Sequence, residues 1–275
     1  MGLTDHAAIY VDTCMTEPCQ HDLQGGTATV FTCRGPHKET ANEDAVAVVP
    51  VSGSCTVLVV ADGLGGLPTG DLASALAVQS LARSINDAVE HNLREAILDG
   101  IELANREILA LGTGAATTLA IVEIRGNILR PSHVGDAGVL VTGQRGRRHL
   151  QTVPHSPTGY AQEAGLINEV EALEHKDRNL VSNVVGSHDL RIEIGSLLRL
   201  APRDTVVVAS DGLFDNLLSE EIIDHVRCGK LQQAARTLIV ESHARMEGRN
   251  SGEVGGHPDD MSFVLYRPRL TPGNS

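Results

Sequence analysis

The sequence has no tryptophan and only three tyrosines and three phenylalanines among 275 residues. Its core must therefore be aliphatic, and stacking of bases on aromatic side chains is not a role it is equipped for. Basic residues are also few. The 22 Lys and Arg against 35 Asp and Glu leave a net charge of −13, which argues against a nucleic-acid or anionic-membrane surface. No apolar run approaches the ~20 residues that span a bilayer. The N-terminus shows no basic stretch leading into an apolar one, so no secretory signal is expected. Cys14, Cys19, Cys33, Cys55 and Cys228 are odd in number and irregularly spaced, implying neither a disulfide framework nor a zinc ribbon. A reduced, cytoplasmic setting is expected. No Pro- or Ser-rich linker or charge run divides the chain, so one domain is expected from a length that allows one or two.

What is present is organised around Val57–Gly66. The apolar run Val57–Ala61 reads as a strand buried on both faces, and it stops at Asp62 before a glycine-rich turn. A carboxylate at the end of a buried strand is costly unless positive charge meets it. The pattern recurs downstream, where Thr205–Ser210 ends in Asp211-Gly212-Leu213. Two distant strands that each deliver Asp-Gly-Leu suggest one site, built from two strand ends and held by a metal ion.

Taken in order, residues 1–26 form a polar extension, with Ile9–Val11 a candidate edge strand. Strands are expected at Thr27–Cys33, Ala45–Val51 and Cys55–Ala61, the last two as a hairpin. Two amphipathic helices follow, one opening near Pro68 and one from Leu93, with apolar residues at steps of three and four. Four short strands, 118–124, 128–134, 138–142 and 149–153, are evenly spaced and predict an antiparallel meander. Residues 155–185 break the rhythm and read as a lid or recognition insertion. Strands at 189–194 and 205–210, helices at 219–226 and 231–246, and a strand at 261–267 complete the chain, with 268–275 a flexible tail. Strands in hairpin order with helix pairs inserted as blocks fit an α+β fold, with two antiparallel sheets face to face and helices outside.

Five aspartates, Asp44, Asp62, Asp136, Asp211 and Asp259, stand at strand ends beside Gly, Asn or another acid. One Asp-Gly alone is a common turn. Five at strand tips, if they converge, would repel one another and need cations. An all-oxygen pocket suits Mg²⁺ or Mn²⁺ better than zinc. Two such ions about 4 Å apart can bridge a water and clamp a phosphoryl group.

The blocks Asn42-Glu43-Asp44-Ala45, Val60-Ala61-Asp62-Gly63-Leu64-Gly65-Gly66, Gly114–Thr118, Val134-Gly135-Asp136, Ala209–Asp215 and Asp259-Asp260-Met261-Ser262 resemble, in order, those of the metal-dependent Ser/Thr protein phosphatases of type 2C. The resemblance spans residues 27–267 and is greatest to bacterial members. It implies a four-layer α-β-β-α sandwich and a catalytic domain over 27–267 whose flap is residues 155–185. It also implies a binuclear Mn²⁺ or Mg²⁺ centre whose bound hydroxide attacks phosphoserine or phosphothreonine in line. By the same resemblance, Asp62 bridges the ions and the Gly63 carbonyl binds one. Asp44 acts through bound water with Glu43 beside it, and Asp211 and Asp259 hold the other ion. Asp136 with Asp211 matches a third metal position, and Asp260 supports Asp259. Phosphorylated proteins are the implied substrates, a cognate kinase an implied partner, and a monomer the expected state.

Two departures stand out. Glu39 occupies the position where the family usually carries a phosphate-gripping arginine; Lys38 is expected to supply that cation instead, with Arg34 the other candidate. Leu64 stands where many eukaryotic members have a histidine proposed as general acid. The lone histidines His133, His155, His175 and His257 read as surface or hydrogen-bonded core residues, with His257 of interest for its nearness to Asp259. Two other readings remain open: a binding protein on a phosphatase frame, favoured by Glu39, and a phosphomonoesterase for small metabolites.

Overall fold

The structure is a computed structural model in which residues 6–51, 53–64, 69–86, 88, 92–249 and 255–269 are described. Gly65 and Gly66 of the glycine turn, the Pro68 helix opening and the tail from 270 lie outside the described residues. Two antiparallel sheets form the centre. The first runs in the order β1 (Ala8–Val11), β4 (Asp44–Pro50), β5 (Cys55–Gly63), β6 (Thr117–Arg125), β7 (Ile128–Val134) and β10 (Glu193–Ile194), with β11 (Leu198–Arg199) also on β7. The second runs β2 (Cys19–Asp22), β3 (Gly26–Cys33), β13 (Met261–Pro268), β12 (Thr205–Ala209), β8 (Gly138–Thr142) and β9 (Arg148–Gln151).

Strand parity explains both the core and the site. In β4 and β5 the even-numbered Val46, Val48, Leu58 and Val60 point between the sheets, where they meet Val30, Val139, Val206, Val208 and Val264. The odd-numbered Ala45, Ala47, Val57, Val59 and Ala61 point outward. There they bury the apolar stripes of α1 (Gly70–Asn86) and α2 (Leu93–Ala110), including Ala77, Leu81, Ile85, Ile97 and Ile101. On the other side Phe31, Val207, Phe263 and Leu265 meet Ile222 and Ile223 of α6 (Ser219–Val226) and Ala235 and Leu238 of α7 (Leu231–Met246). Both faces of each central strand are therefore apolar, and the layers are helix, sheet, sheet, helix. Asp44 and Asp62 are even-numbered and directly paired across β4 and β5. They continue the inward row where the apolar residues end, so their carboxylates close one end of the layer between the sheets.

The meander expected over residues 118–153 is interrupted. β6 and β7 pair in the first sheet, whereas β8 and β9 pair in the second. The chain changes sheet at Gly135-Asp136, where Gly135 has φ +92°, a conformation that only glycine adopts cheaply. Local spacing predicts four antiparallel strands in one meander but does not say which sheet each joins, and the crossing is what brings Asp136 to the mouth of the inter-sheet layer.

The cysteines also depart from expectation. The segment before β2 runs along the end of β3, with the Met15 amide donating to the Thr32 carbonyl at 2.8 Å, and Cys14 is disulfide-bonded to Cys33. Spacing did not announce this pair, because the two residues meet only through that lateral pairing. Thiol titration of the denatured protein should count three thiols before reduction and five after; five before reduction would refute the bond. Among the described residues, no helix is long and apolar enough to cross a membrane.

Candidate active site

Four chain segments meet at the closed end of the sandwich. Asp44 and Asp62 come from the first sheet, Asp136 from the crossing turn, and Asp211 and Asp259 from the second sheet, just after β12 and just before β13. Carboxylate oxygens of Asp62, Asp136 and Asp211 lie within 4.8 Å of one another. Asp211 opens the short helix α5 (Asp211–Phe214). Gly212 is required behind it, since a Cβ there would stand 1.9 Å from the Asp260 carbonyl oxygen. That close approach sets the Asp211 turn directly against the Asp259-Asp260 segment.

The two sheets are tied at this end by hydroxyl and amide side chains. Asp44 Oδ2 accepts from Ser210 Oγ at 2.8 Å, and Ser210 Oγ accepts from the Ser262 amide at 3.0 Å. Ser262 Oγ donates to Thr32 Oγ1 at 2.7 Å. Asn42 Nδ2 donates to the same Thr32 oxygen at 2.8 Å and to the Thr13 carbonyl at 2.7 Å. Asn42 Oδ1 accepts from the Asp44 amide at 3.0 Å, which closes the ring. Every member of the ring is buried, and the linked hydrogen bonds hold the Asp44 backbone and its Oδ2 in place. The Asn of the Asn-Glu-Asp block is thus a structural clamp for its Asp.

The electrostatics of the cluster are unbalanced. Burial is the main cause that raises Asp44 and Asp62 well above the usual carboxylate range, reinforced by Asp260 in the first case and by Asp211, Asp44, Asp259 and Asp136 in the second. Burial, then Asp259, pushes Asp136 up to about 6. Burial, then Asp136, pushes Asp211 up to about 7. Asp259 stands at the open rim and is also raised, by desolvation and by Asp211. Asp62 and Asp211 carry carboxylate oxygens within 4.8 Å of each other, a separation at which two ionised carboxylates repel and one tends to keep its proton. Asp44 Oδ1 and Asp136 Oδ1 are buried with no hydrogen-bond partner among the described residues. Lone pairs left bare in a crowded set of oxygens fit a hard divalent cation, so the residues suit Mg²⁺ or Mn²⁺.

Other expected residues are placed differently. Glu43 turns from the aspartates: its carboxylate takes Lys38 Nζ at 2.6 Å, and its amide donates to Asp260 Oδ2 at 2.6 Å. Lys38 Nζ also donates to Asp260 Oδ2 at 2.6 Å. Two of its three N–H groups are therefore spent, and two carboxylates surround it, so Lys38 is poorly suited to grip a phosphate dianion. Its positive charge instead supports the buried Asp260, which also accepts the Gly35 amide at 2.8 Å. Gly63 ends β5, with its amide on the Glu43 carbonyl at 3.0 Å. Arg34 is exposed.

Asp215 joins the cluster without having been assigned a role from sequence. Burial and the charges of Asp211 and Asp136 raise it well above its ordinary value, and Arg178 opposes them. It lies one helical turn after Asp211, a spacing that could have suggested a shared face. Over residues 155–185 the chain forms α3 (Pro157–Glu163) and α4 (Glu169–Leu173). Ser156 caps α3 through the Gly159 amide, and Asn168 with Glu171 makes a capping box on α4. Glu169 Oε1 accepts from Ser219 on α6, and Val185 bridges back to Thr117 on β6. So anchored, the segment walls a cavity whose lining includes Asp136, Asp211, Asp215 and Arg178. Among the described residues Arg178 Nε is buried there without a hydrogen-bond partner. His257, singled out for its position, exchanges hydrogen bonds with Asn216 through its backbone; its Nε2 has no partner.

Comparison with known proteins follows the same lines. The family model for "Protein phosphatase 2C" matches residues 36–246. Protein phosphatase PhpP of Streptococcus pneumoniae is 30% identical over 199 residues, covering 69% of this chain and 80% of PhpP. The serine/threonine phosphatase of S. agalactiae superimposes with a TM-score of 0.73 at 26% identity, covering 87% of this chain and 98% of that one. The catalytic domain of the phosphatase PstP, solved in complex with two manganese ions, shares the fold with a TM-score of 0.70 at 23% identity, over 88% and 98% of the two chains. A sandwich closed by converging aspartates, matched over most of its length by one family model, settles the assignment: the chain belongs to the protein phosphatase 2C family, the metal-dependent serine/threonine phosphatases.

Proposed function

We propose that this protein hydrolyses phosphoserine and phosphothreonine esters in proteins at the cluster of Asp44, Asp62, Asp136, Asp211 and Asp259. The observation that carries the proposal is the set of unneutralised carboxylates at one sandwich end, with the Asp44 and Asp136 oxygens bare. Asp62, Asp211 and Asp259, with the Gly63 carbonyl, would hold two Mn²⁺ or Mg²⁺ ions; Asp136 would hold a third with Asp211. Asp44, fixed by Ser210 and Asn42, would orient water at the site. When bound, the ions would supply water activation and neutralise the phosphoryl oxygens. PstP, crystallised with two manganese ions, makes Mn²⁺ the first ion to try. Glu43 is assigned to holding Lys38 rather than to an ion.

The cavity between the aspartates and the 155–185 segment would receive the phosphoryl group, with Arg178 as its cation in place of the arginine that Glu39 displaces. Arg178→Ala should raise KM for a phosphopeptide about tenfold, the loss of one charged contact, with kcat within about threefold. Lys38→Ala should leave KM unchanged and lower unfolding stability by about 1–3 kcal/mol, because it strips the ion pair from buried Asp260. The reverse pattern would return the phosphate to Lys38. The overall reading is tested by phosphate release, with Mn²⁺, from phosphoserine and phosphothreonine peptides against sugar phosphates and nucleotides. Preference for metabolites would favour a small-molecule phosphomonoesterase; no release from any substrate by protein that binds Mn²⁺ would favour a binding protein. We further propose a monomer that opposes a Ser/Thr kinase; a cytoplasmic setting, expected from the cysteine spacing, would require that the Cys14–Cys33 bond resist the reducing cytosol.

A further inference from the structure

The turn that carries Asp136 is held by a histidine from the start of the inserted segment. The Gly135 amide donates to His155 Nδ1 at 3.1 Å, and the His155 amide donates to the Gly135 carbonyl at 2.9 Å. Asn183, at the far end of the segment, donates Nδ2 to the same Nδ1 at 2.9 Å. The orientation of the Asn183 amide is fixed, because Nδ2 also donates to the Arg191 carbonyl at 2.7 Å while Oδ1 accepts the Arg191 amide at 3.1 Å. Ser182 donates to the His155 carbonyl at 2.8 Å through both its amide and its hydroxyl. His155 therefore joins three stretches of chain: the Asp136 turn, the opening of the segment and its return.

The hydrogen bonds also assign the tautomer. Two N–H groups point at Nδ1, so Nδ1 is the acceptor and Nε2 carries the proton, which it donates to Glu193 at 3.1 Å. His133 is stacked on His155 with ring centroids 4.4 Å apart and donates its own Nε2–H to the Val153 carbonyl at 2.9 Å. His133, His155 and Glu193 resemble a second cation site by spacing. With both Nε2 protons already donated, the trio is instead a hydrogen-bonded brace under the turn.

We propose that His155 is a positioning residue for Asp136, acting through the Gly135 amide to hold the Asp136 carboxylate in the aspartate cluster and lock it to both ends of the 155–185 segment. The proposal rests on the reading of Asp136 as a metal ligand. Among the described residues Asp136 Oδ1 has no hydrogen-bond partner, and the carboxylate is held by the backbone amides of its own turn, those of Asp136 and Ala137, so its direction depends on that turn, and the turn is held through Nδ1. Partners of this outer kind typically change metal affinity by about 10–100-fold.

The test uses His155→Asn, His155→Gln and His155→Ala in the full chain. Asn places Oδ1 where Nδ1 stood and keeps the acceptor for Gly135 and Asn183. Gln reaches only toward the Nε2 position. Two readouts are taken on metal-free protein: amide exchange at Gly135, and calorimetric titration with Mn²⁺, with Asp136→Asn as reference. The proposal expects the Ala and Gln variants to exchange the Gly135 amide at least tenfold faster and to weaken the Mn²⁺ event lost in Asp136→Asn by about tenfold or more, while the Asn variant stays within about threefold of wild type in both. Equal behaviour of the Asn and Gln variants in both readouts, or a Gly135 amide unchanged in all, would overturn it. If Asp136→Asn leaves every Mn²⁺ event intact, the reading of Asp136 as a ligand fails, and the Gly135 exchange pattern alone decides whether His155 positions the turn. Should the Ala variant not fold, the Asn and Gln pair carries the comparison.

Discussion

Asp62→Asn should reduce Mn²⁺-dependent phosphopeptide hydrolysis by about a thousandfold, roughly 4 kcal/mol on the barrier, while making the metal-free protein more stable. The two effects have one cause. Asp62 is the residue whose charge faces Asp211, Asp44, Asp259 and Asp136 together, so it is the proposed bridge between the ions and also the centre of repulsion without them. An amide keeps the shape and removes one negative charge. At pH 8 in a chelator the variant should melt above wild type, and in Mn²⁺ the order should reverse. A variant that loses activity and also melts below wild type in chelator would mean that Asp62 is structural and its loss of activity is unfolding.

Stabilisation by Mn²⁺ should grow with pH. Asp136 and Asp211 are pushed up to about 6 and about 7 from an ordinary value of 3.8. Between about pH 4 and 7 the metal-free folded protein then holds protons that the unfolded chain has released. Stability is proportionately lost as pH rises through the folded values. Buried His21 and His133 and half-buried His243 and His257, lowered chiefly by desolvation, act in the opposite sense over part of this range. They are present with and without metal, so the difference between the two melting curves isolates the carboxylates. Cations replace the missing protons, and the Mn²⁺-induced rise in Tm should increase by about 10 °C from pH 5 to pH 8. A rise independent of pH would mean that the ions bind away from these aspartates.

Much of the molecule is legible in its order of residues. The apolar runs at 57–61 and 205–209 are strands because aliphatic side chains buried on both faces have no other use at that length, and glycine marks where they stop. Helices at 219–226 and 231–246 follow from apolar spacing and end where it ends. The aspartates at strand tips, and the Asn-Glu-Asp and Asp-Gly-Leu blocks, point to metal-assisted phosphoryl chemistry from residue order alone. Each of these is a local property, set by a side chain and its neighbours within a turn or a strand.

What tertiary structure decided is which distant pieces share a surface. The crossing of sheets at Gly135, the Cys14–Cys33 bond, and the ring from Asp44 through Ser210, Ser262, Thr32 and Asn42 join residues separated by up to 230 positions. The diversion of Lys38 to Glu43 and Asp260 and the entry of Asp215 and Arg178 into the cavity are of the same kind. Hydrogen bonds and ion pairs depend on separations of a few ångströms, and those are fixed by sheet pairing across the whole chain rather than by sequence spacing. Residue order shows which side chains carry the charge and roughly where the long central strands stop, although β5 runs on to Gly63 and the strand expected over 189–194 shrinks to Glu193–Ile194; which charges face one another, and which are already paired, follows from the folded sandwich.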